Sequence, residues 1–193
     1  MFYKVARMIC AIFLRILYSI HIHRECEDSD LENGAIICAN HSTNLDPVLV
    51  AISVKKQIHF MAKKELFESK FMKYLIGNLL GAFPVSRGEN DIKSMKTAIR
   101  VVKEGNVLGL FPEGTRNVTG EDIEAKAGVG FIVSKTGGKP VVPITIRSGM
   151  KLRSRIDITV GKPIDLSAFE DRKLSGDDYR EISGIIMDRI RSV

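Results

Sequence analysis

The sequence predicts an α/β protein: a single domain with a largely parallel central sheet flanked by helices, preceded by an N-terminal amphipathic helix. Three observations carry this expectation. From Gly34 onward, short apolar runs of strand length alternate with stretches of helical periodicity, as in strands linked by crossover helices. Before Gly34 lies the most apolar stretch of the chain, residues 1–22, whose few charges fall on one stripe. And 193 residues, 45% of them hydrophobic, are enough for one ordinary core and leave no length for a second full domain.

Taking the elements in order, residues 1–22 are expected to form the amphipathic helix. The longest charge-free run before Arg15 is Met8 to Leu14, well short of the ~20 residues that span a bilayer. On a helical wheel Lys4, Arg7, Arg15 and Ser19 share a narrow stripe, and Phe2, Ile9, Ile12, Phe13, Ile16 and Ile20 surround the rest. Apolar bulk with a cationic stripe suits a helix lying in a membrane interface, acyl chains on one side and lipid phosphates on the other. Two other readings stay open. The helix could dock on its own domain, or the segment could be a signal peptide, although Arg15 interrupts its apolar core and no A-x-A site follows. The run RECEDSDLE, Arg24 to Glu32, reads as a solvated acidic connector. The expected division is therefore a membrane-interface helix with its connector over 1–32 and the α/β domain over 33–193.

Within that domain GAIICAN is a strand, followed by the loop HSTNLD and a helix opening at Pro47, since proline is tolerated in a first helical turn. QIHFMAK is the next strand. KSMKTAIRVVKEG places Met95, Ile99 and Val102 at helical spacing and stops at Gly105. NVLGLF is a strand running into PEGTR, AKAGVGFIVSKTGG a helix with a glycine stop, and KPVVPITI and RIDITVGKPI two later strands. The tail SGDDYREISGIIMDRIRSV is an amphipathic helix with Asp177 and Asp178 near its N-terminus, where the helix dipole favours them.

Lys and Arg outnumber Asp and Glu by 29 to 23, and the net charge of +6 favours anionic partners. Nucleic acid is not expected, because no arginine-rich run, aromatic-basic interleaving or zinc-type Cys/His spacing accompanies the charge. Three cysteines, Cys10, Cys26 and Cys38, without CxxC spacing, offer neither a disulfide framework nor a metal cluster and fit a reducing compartment.

The residues able to carry chemistry stand where predicted strands give way to loops. His41 follows the first strand of the domain, and Asp46 comes five positions later at a helix start. A carboxylate accepting a hydrogen bond from one imidazole nitrogen fixes the tautomer and frees the other nitrogen as a base. The pair alone also fits an Asp that merely caps its helix beside a loop histidine. Ser42 raises covalent serine catalysis, but there is no GxSxG and Ser42 adjoins the histidine instead of occupying its own strained turn. In PEGTR, Gly114 lets backbone N–H groups approach an anion and Arg116 can grip a phosphate through two parallel hydrogen bonds; an ordinary polar turn is the alternative. Arg87, in GAFPVSRG, either brings a second guanidinium to the same cleft or is a surface charge. No Walker-type GxxxxGK is present.

Together, NHSTNLDP, GAFPVSRG, FPEGTR and VVPI, in that order from Ala39 to Ile144, resemble the four sequence blocks of the glycerolipid acyltransferases, in particular the compact bacterial 1-acylglycerol-3-phosphate O-acyltransferases. The resemblance implies transfer of a fatty acyl group from a thioester to the sn-2 hydroxyl of lysophosphatidate, giving phosphatidic acid. In its terms His41 is the general base and Asp46 orients it. Arg87 contacts the acceptor's phosphate, Glu113, Gly114 and Thr115 belong to the acceptor block, and Arg116 is a further phosphate contact. Pro143 belongs to the block for the acyl donor or acyl chain, and Lys63 aligns with a lysine near the active site, with Lys64 adjacent. The resemblance also implies no cofactor and no metal, acyl-CoA or acyl-carrier protein as co-substrate, membrane lipids as partners, and a peripheral or monotopic place on the cytoplasmic face of the membrane. Left open are another acceptor, glycerol-3-phosphate or a different lysophospholipid, and a non-catalytic lipid-binding protein.

Overall fold

The computed structural model of the chain describes residues 2–70, 73–74, 77, 81–85, 92–117, 119, 121–149, 151–170 and 172–193. Helix α1 (Phe2–Leu17) is followed by strand β1 (Ser19–Arg24), β2 (Ala35–Ala39), α2 (Asp46–Ser53) and β3 (Ile58–Lys63). Then come β4 (Phe83–Val85), α3 (Ile92–Lys103), β5 (Val107–Leu110), α4 (Ala127–Ser134), β6 (Val141–Ser148), β7 (Arg155–Val160) and α5 (Gly176–Ser192). The strands form one sheet in the order β1-β7-β6-β2-β5-β3-β4. Neighbours pair in parallel throughout except β6 with β7, so β1 and β7 run against the other five strands.

Alternation along β2 shows how the sheet is covered. Ala35, Ile37 and Ala39 pack with Leu14 of α1 and Leu49 and Val50 of α2 on one face. Ile36 and Cys38 face the other way, among Ala98 and Val102 of α3, Val129 and Ile132 of α4, and Ile182 and Ile186 of α5. Every residue of β2 is buried, as expected of a parallel strand sandwiched between helix layers.

Two local features differ from the expectation. The helix predicted over residues 1–22 ends at Leu17, and Ser19 and Ile20 belong to an edge strand paired with β7. Ile20 and Ile22 turn to the core while His21 and His23 point out, a strand's period of two. The start of the predicted connector therefore continues the sheet, and Leu31 further along it is buried in the core. On the far edge, β4 contains Pro84, which an edge strand tolerates because among the described residues β4 pairs on one side only, with β3.

α1 docks by one face and leaves the other bare. Leu14 is buried and Cys10 and Ala11 pack against the core. Arg7 Nη1 donates to the carbonyl of Val54 at the C-cap of α2, a favourable place for a cation, and the Ile58 N–H donates to the Tyr3 hydroxyl at 3.4 Å. Arg7 is thus turned inward, off the outward cationic stripe. Phe2, Met8, Ile9, Ile12, Phe13 and Ile16 are exposed. Among the described residues, no helix is long and apolar enough to cross a membrane.

Candidate active site

The parallel strands β2, β3, β5 and β6 end on the same edge, where ligands bind in open α/β sheets. Asn40, just beyond β2, extends the ladder with its side chain: its Nδ2 donates to the Ile146 carbonyl at 2.9 Å and its Oδ1 accepts from the Ile146 N–H at 2.7 Å. His41 follows directly, so its position is inherited from the sheet.

Asp46 folds the HSTNLD loop around itself. Its Oδ2 accepts from His41 Nδ1 at 2.9 Å and from the backbone N–H groups of Ser42 and Thr43 at 2.6 and 2.7 Å, and Oδ1 accepts from the Thr43 hydroxyl at 2.7 Å. Asp46 is 2% exposed. Burial pushes its carboxyl up, but these bonds, led by that from His41, outweigh burial and hold it below the usual carboxylate range. An ionised Asp46 acceptor requires the proton on His41 Nδ1 and leaves Nε2 as the basic nitrogen. The ring stacks on Phe111, with centroids 4.1 Å apart and planes at 21°. The single Asp therefore both shapes the loop and orients the imidazole, which merges the two sequence readings of this pair.

The loop after β5 holds the His41 backbone. The Asn117 N–H donates to the His41 carbonyl at 2.6 Å, and the His41 N–H favours the charged form of Glu113. Glu113 is 2% exposed, and its Oε2 has no hydrogen-bond partner among the described residues. Burial, only partly offset by His41, pushes its carboxyl up.

Two cavities meet at His41. One, of about 490 Å³, is mainly apolar, lined by Tyr3, Ala6 and Cys10 of α1, Val48 and Ile52 of α2, Phe60 and Phe111. The other, of about 250 Å³, is bounded by Val85, Met95, Gly114, Lys126 and Val129. His41, Met61, Lys63 and Phe111 border both. A larger cavity of about 770 Å³ opens at the other end of the strands, beside Pro140 and α5, and none of the predicted site residues lines it.

The structure brings some of the predicted residues together and sets others apart. Lys63 lines both cavities and Lys64 neither. Gly114, at φ +68°, borders the smaller cavity, and Arg116 borders the apolar one. Thr115 is exposed and lines neither. Glu113 sits behind His41, off both cavity walls. Pro143 lies buried inside β6 in register with Cys38, and its carbonyl accepts from the Gly161 N–H at 2.9 Å, so it is a sheet residue and not a wall of the cleft. Arg87 lies outside the described residues. Sequence reasoning missed Asn40, Phe111 and Lys126. Asn40 adjoins the histidine, but nothing local marks Phe111 or Lys126, whose relation to His41 is made by the fold.

Comparison with known proteins gives the family of the chain. The model of a family described as Acyltransferase matches residues 19–147. The chain is 33% identical over 173 residues to a 1-acyl-sn-glycerol-3-phosphate acyltransferase of Bacillus subtilis, covering 83% of each chain. It is also 33% identical over 175 residues to the protein of that name in Streptococcus pneumoniae, covering 86% of this chain and 64% of the relative. The crystal structure of the 1-acyl-sn-glycerophosphate acyltransferase PlsC from Thermotoga maritima superposes with a TM-score of 0.71 at 20% identity, over 99% of this chain and 79% of that one, a likeness of fold. With the matched segment running from β1 into the last residues of β6 and including His41, Asp46 and the loop after β5, the chain belongs to the acyltransferase family.

Proposed function

We propose that the protein transfers an acyl group from a thioester, acyl-CoA or acyl-carrier protein, to the sn-2 hydroxyl of 1-acylglycerol-3-phosphate. The observation that carries this reading is the His41–Asp46 pair, whose Nε2 has no hydrogen-bond partner among the described residues, at the junction of an apolar and a lysine-bordered cavity. The relatives of that name support the choice of acceptor.

A thioester arrives activated, so the reaction needs neither a covalent nucleophile nor a cofactor. His41 Nε2 takes the proton of the acceptor hydroxyl as its oxygen attacks the thioester carbonyl. Asp46 stabilises the imidazolium that forms. The tetrahedral adduct collapses, the carbon–sulfur bond breaks, and the imidazolium returns its proton to the departing sulfur. Acyl chain occupies the apolar cavity, while Lys63, Gly114, Arg116 and, from the resemblance, Arg87 hold polar parts of the substrates. Glu113 acts through the His41 backbone. The bare face of α1 seats the protein on the cytoplasmic surface of the membrane, where lysophosphatidate has its tail in the lipid.

Purified protein given an acyl thioester and lysophosphatidate should release thiol and form phosphatidic acid. His41→Ala should lower turnover by about 10²- to 10⁴-fold, and Asp46→Asn should also lose most activity, because an amide cannot stabilise the imidazolium as a carboxylate does. A folded His41→Ala protein with near-normal turnover would overturn the mechanism, and preference for glycerol-3-phosphate would overturn the acceptor.

A further inference from the structure

The cavity of about 770 Å³ beside Pro140 has no part in the proposed reaction. Its size is that of small-ligand sites, ~300–1,000 Å³. Ile164, Leu166, Phe169 and Tyr179 give it an apolar floor, and Lys135, Lys139 and Lys173 a cationic rim. None of these lysines makes an ion pair among the described residues. Arg172, a fourth cation, is committed: its Nη2 donates to Asp178 at 2.7 Å and its guanidinium lies 5.3 Å from the Phe169 ring centroid. The loop between α4 and β6 adds donors. Gly137 and Gly138 stand at φ +69° and +68°, although one left-handed residue is enough to end a helix. The N–H groups of Gly137, Gly138 and Lys139 donate no hydrogen bond among the described residues. Successive free N–H groups in a turn make a concavity that takes anions. The Val133 carbonyl at the end of α4, which would repel an anion, is already taken by the Thr136 N–H and hydroxyl at 3.1 and 2.7 Å. One carboxylate is among the described lining residues, the exposed Glu170, and it rests against this loop: a Cβ on Gly138 would stand 2.9 Å from its Oε1.

We infer that this cavity is a second ligand site, for a nucleoside diphosphate. The three lysines and the Gly137–Lys139 N–H groups seat its phosphates, displacing the Glu170 carboxylate, and the apolar floor carries its base. Three lysines and three N–H groups are more than a single phosphate needs, and the floor has no use for a bare anion. The cavity belongs to the α4 and α5 layer, on the sheet face opposite α1, so its ligand comes from water and not from a bilayer against α1. It is also set apart from His41 by a helix. Gly128 and Val129 at the start of α4 border the smaller catalytic cavity, while Val133 and Ser134 at its end line this one. The eight residues of α4 span about 12 Å. The ligand is therefore neither the acyl donor nor the acceptor, and the inference does not rest on the proposed reaction.

Calorimetric titration of the full chain with ADP, GDP, CDP and UDP tests the site without catalysis. At least one should bind with a dissociation constant below about 1 mM, and binding by none of them overturns the site. For the nucleotide that binds best, Lys139→Glu combined with Lys173→Glu should weaken binding by at least about 100-fold, about 10-fold or more for each charge-assisted contact. The melting temperature without ligand should stay near that of wild type, since neither side chain has a partner to lose. Glu170→Gln should tighten binding by about 2- to 5-fold, because it removes the competing carboxylate; weaker binding in that variant overturns the seat assigned to the phosphates. Lys63→Met, which alters a wall shared by both cavities at His41, should leave binding unchanged. If Lys63→Met abolishes binding and the double lysine variant keeps it, the nucleotide lies in the catalytic cleft and the inference fails. The parent nucleoside should not bind measurably, and inorganic phosphate should bind at least about 10-fold more weakly. A nucleoside as tight as its diphosphate overturns the anion seat, and phosphate as tight as the nucleotide overturns the role of the apolar floor.

Discussion

The peptide unit of His41 is held from behind by the loop after β5, and one member of that loop, Glu113, lines neither cavity and works against its own burial. Its carboxyl is pushed up because burial penalises the charged form more than the His41 N–H favours it. Asp46 lies on the other side of the balance, its hydrogen bonds holding it down. The signs of the two contributions to stability are therefore opposite. Asp46, with a depressed folded pKa, contributes stability above the unfolded value of about 3.9 that is lost as pH falls through the folded value. Glu113, with a raised folded pKa, binds more protons folded than unfolded. Its penalty sets in as pH rises from the unfolded value of about 4.3 through the folded value, and is complete above that. Glu113→Gln, which removes the charge and keeps the shape, should unfold at higher urea than wild type at pH 7, with the advantage shrinking as pH is lowered towards 4. A Gln variant less stable at pH 7 would show that the orphaned oxygen has a partner worth more than its burial costs. At this scale the sequence was legible in part. His41 and Asp46 stand five residues apart in one loop, so their pairing is local. Lys126 lies far along the chain from His41, and Pro143, though inside a recognisable block, faces the sheet interior; neither placement exists before the strands are assembled.

Among the elements, the crossing of α4 over α5 sets where Lys126 stands. Gly130 N–H donates to the Ser183 hydroxyl at 2.9 Å, and that hydroxyl donates to the Tyr179 carbonyl at 2.9 Å as well as contacting the Lys126 carbonyl. The helices are so close that a Cβ on Gly130 would fall 2.0 Å from the Tyr179 carbonyl oxygen. That oxygen is backbone inside a helix and cannot swing away, so α5 must shift as a body. Gly130→Ala should destabilise the fold by about 1–3 kcal/mol or more despite alanine's better helix propensity. It should also weaken acylation by disturbing the wall of the smaller cavity at His41, which Lys126, Gly128 and Val129 border. Urea unfolding measures the first effect, and a variant as stable as wild type would mean that the crossing is looser than drawn. Ser175 caps α5, accepting from the Asp178 N–H while Asp178 accepts in return, which holds the Asp178 carboxyl near a pKa of about 2. Capped and periodic elements such as α3 and α5, and the apolar strands β2, β5 and β6, were legible because each pattern is complete within its own segment. β1 was not. The alternation Ile20-His21-Ile22-His23 is a strand signal, but it abuts the equally apolar α1 without a glycine or proline between them. The helix stops where Ser19 can pair with β7, a strand more than a hundred residues away.

At the scale of the whole molecule, α1 is a wall with two apolar sides. Tyr3, Ala6 and Cys10 line the 490 Å³ cavity that leads to His41, and Phe2, Met8, Ile9, Ile12, Phe13 and Ile16 are exposed on the side away from the core. A soluble surface rarely gathers this much aliphatic and aromatic area on one helix without a use for it. If the outer side rests in a bilayer, the inner side places the cavity one helix thickness, about 10 Å, from the lipid. A lipid acceptor could then reach His41 without its tail crossing open water. Lys4 and Arg15 are exposed on the helix and free to meet lipid phosphates, whereas Arg7 is spent on the Val54 carbonyl. Two sets of changes separate the contributions. Replacing Ile9, Ile12, Phe13 and Ile16 together by Ser should weaken cosedimentation with anionic vesicles by at least about 100-fold at any salt concentration, since each buried apolar side chain is worth about 1.5–3 kcal/mol. Changing Lys4 and Arg15 to Glu should weaken it by ~1 kcal/mol per residue at low salt and hardly at all at high salt. Because none of these six side chains reaches the His41 cavities, turnover of a short-chain acceptor dissolved below micelle concentration should be preserved in both variants. Full cosedimentation of the serine variant would mean that the outer face of α1 is not the membrane surface of this protein.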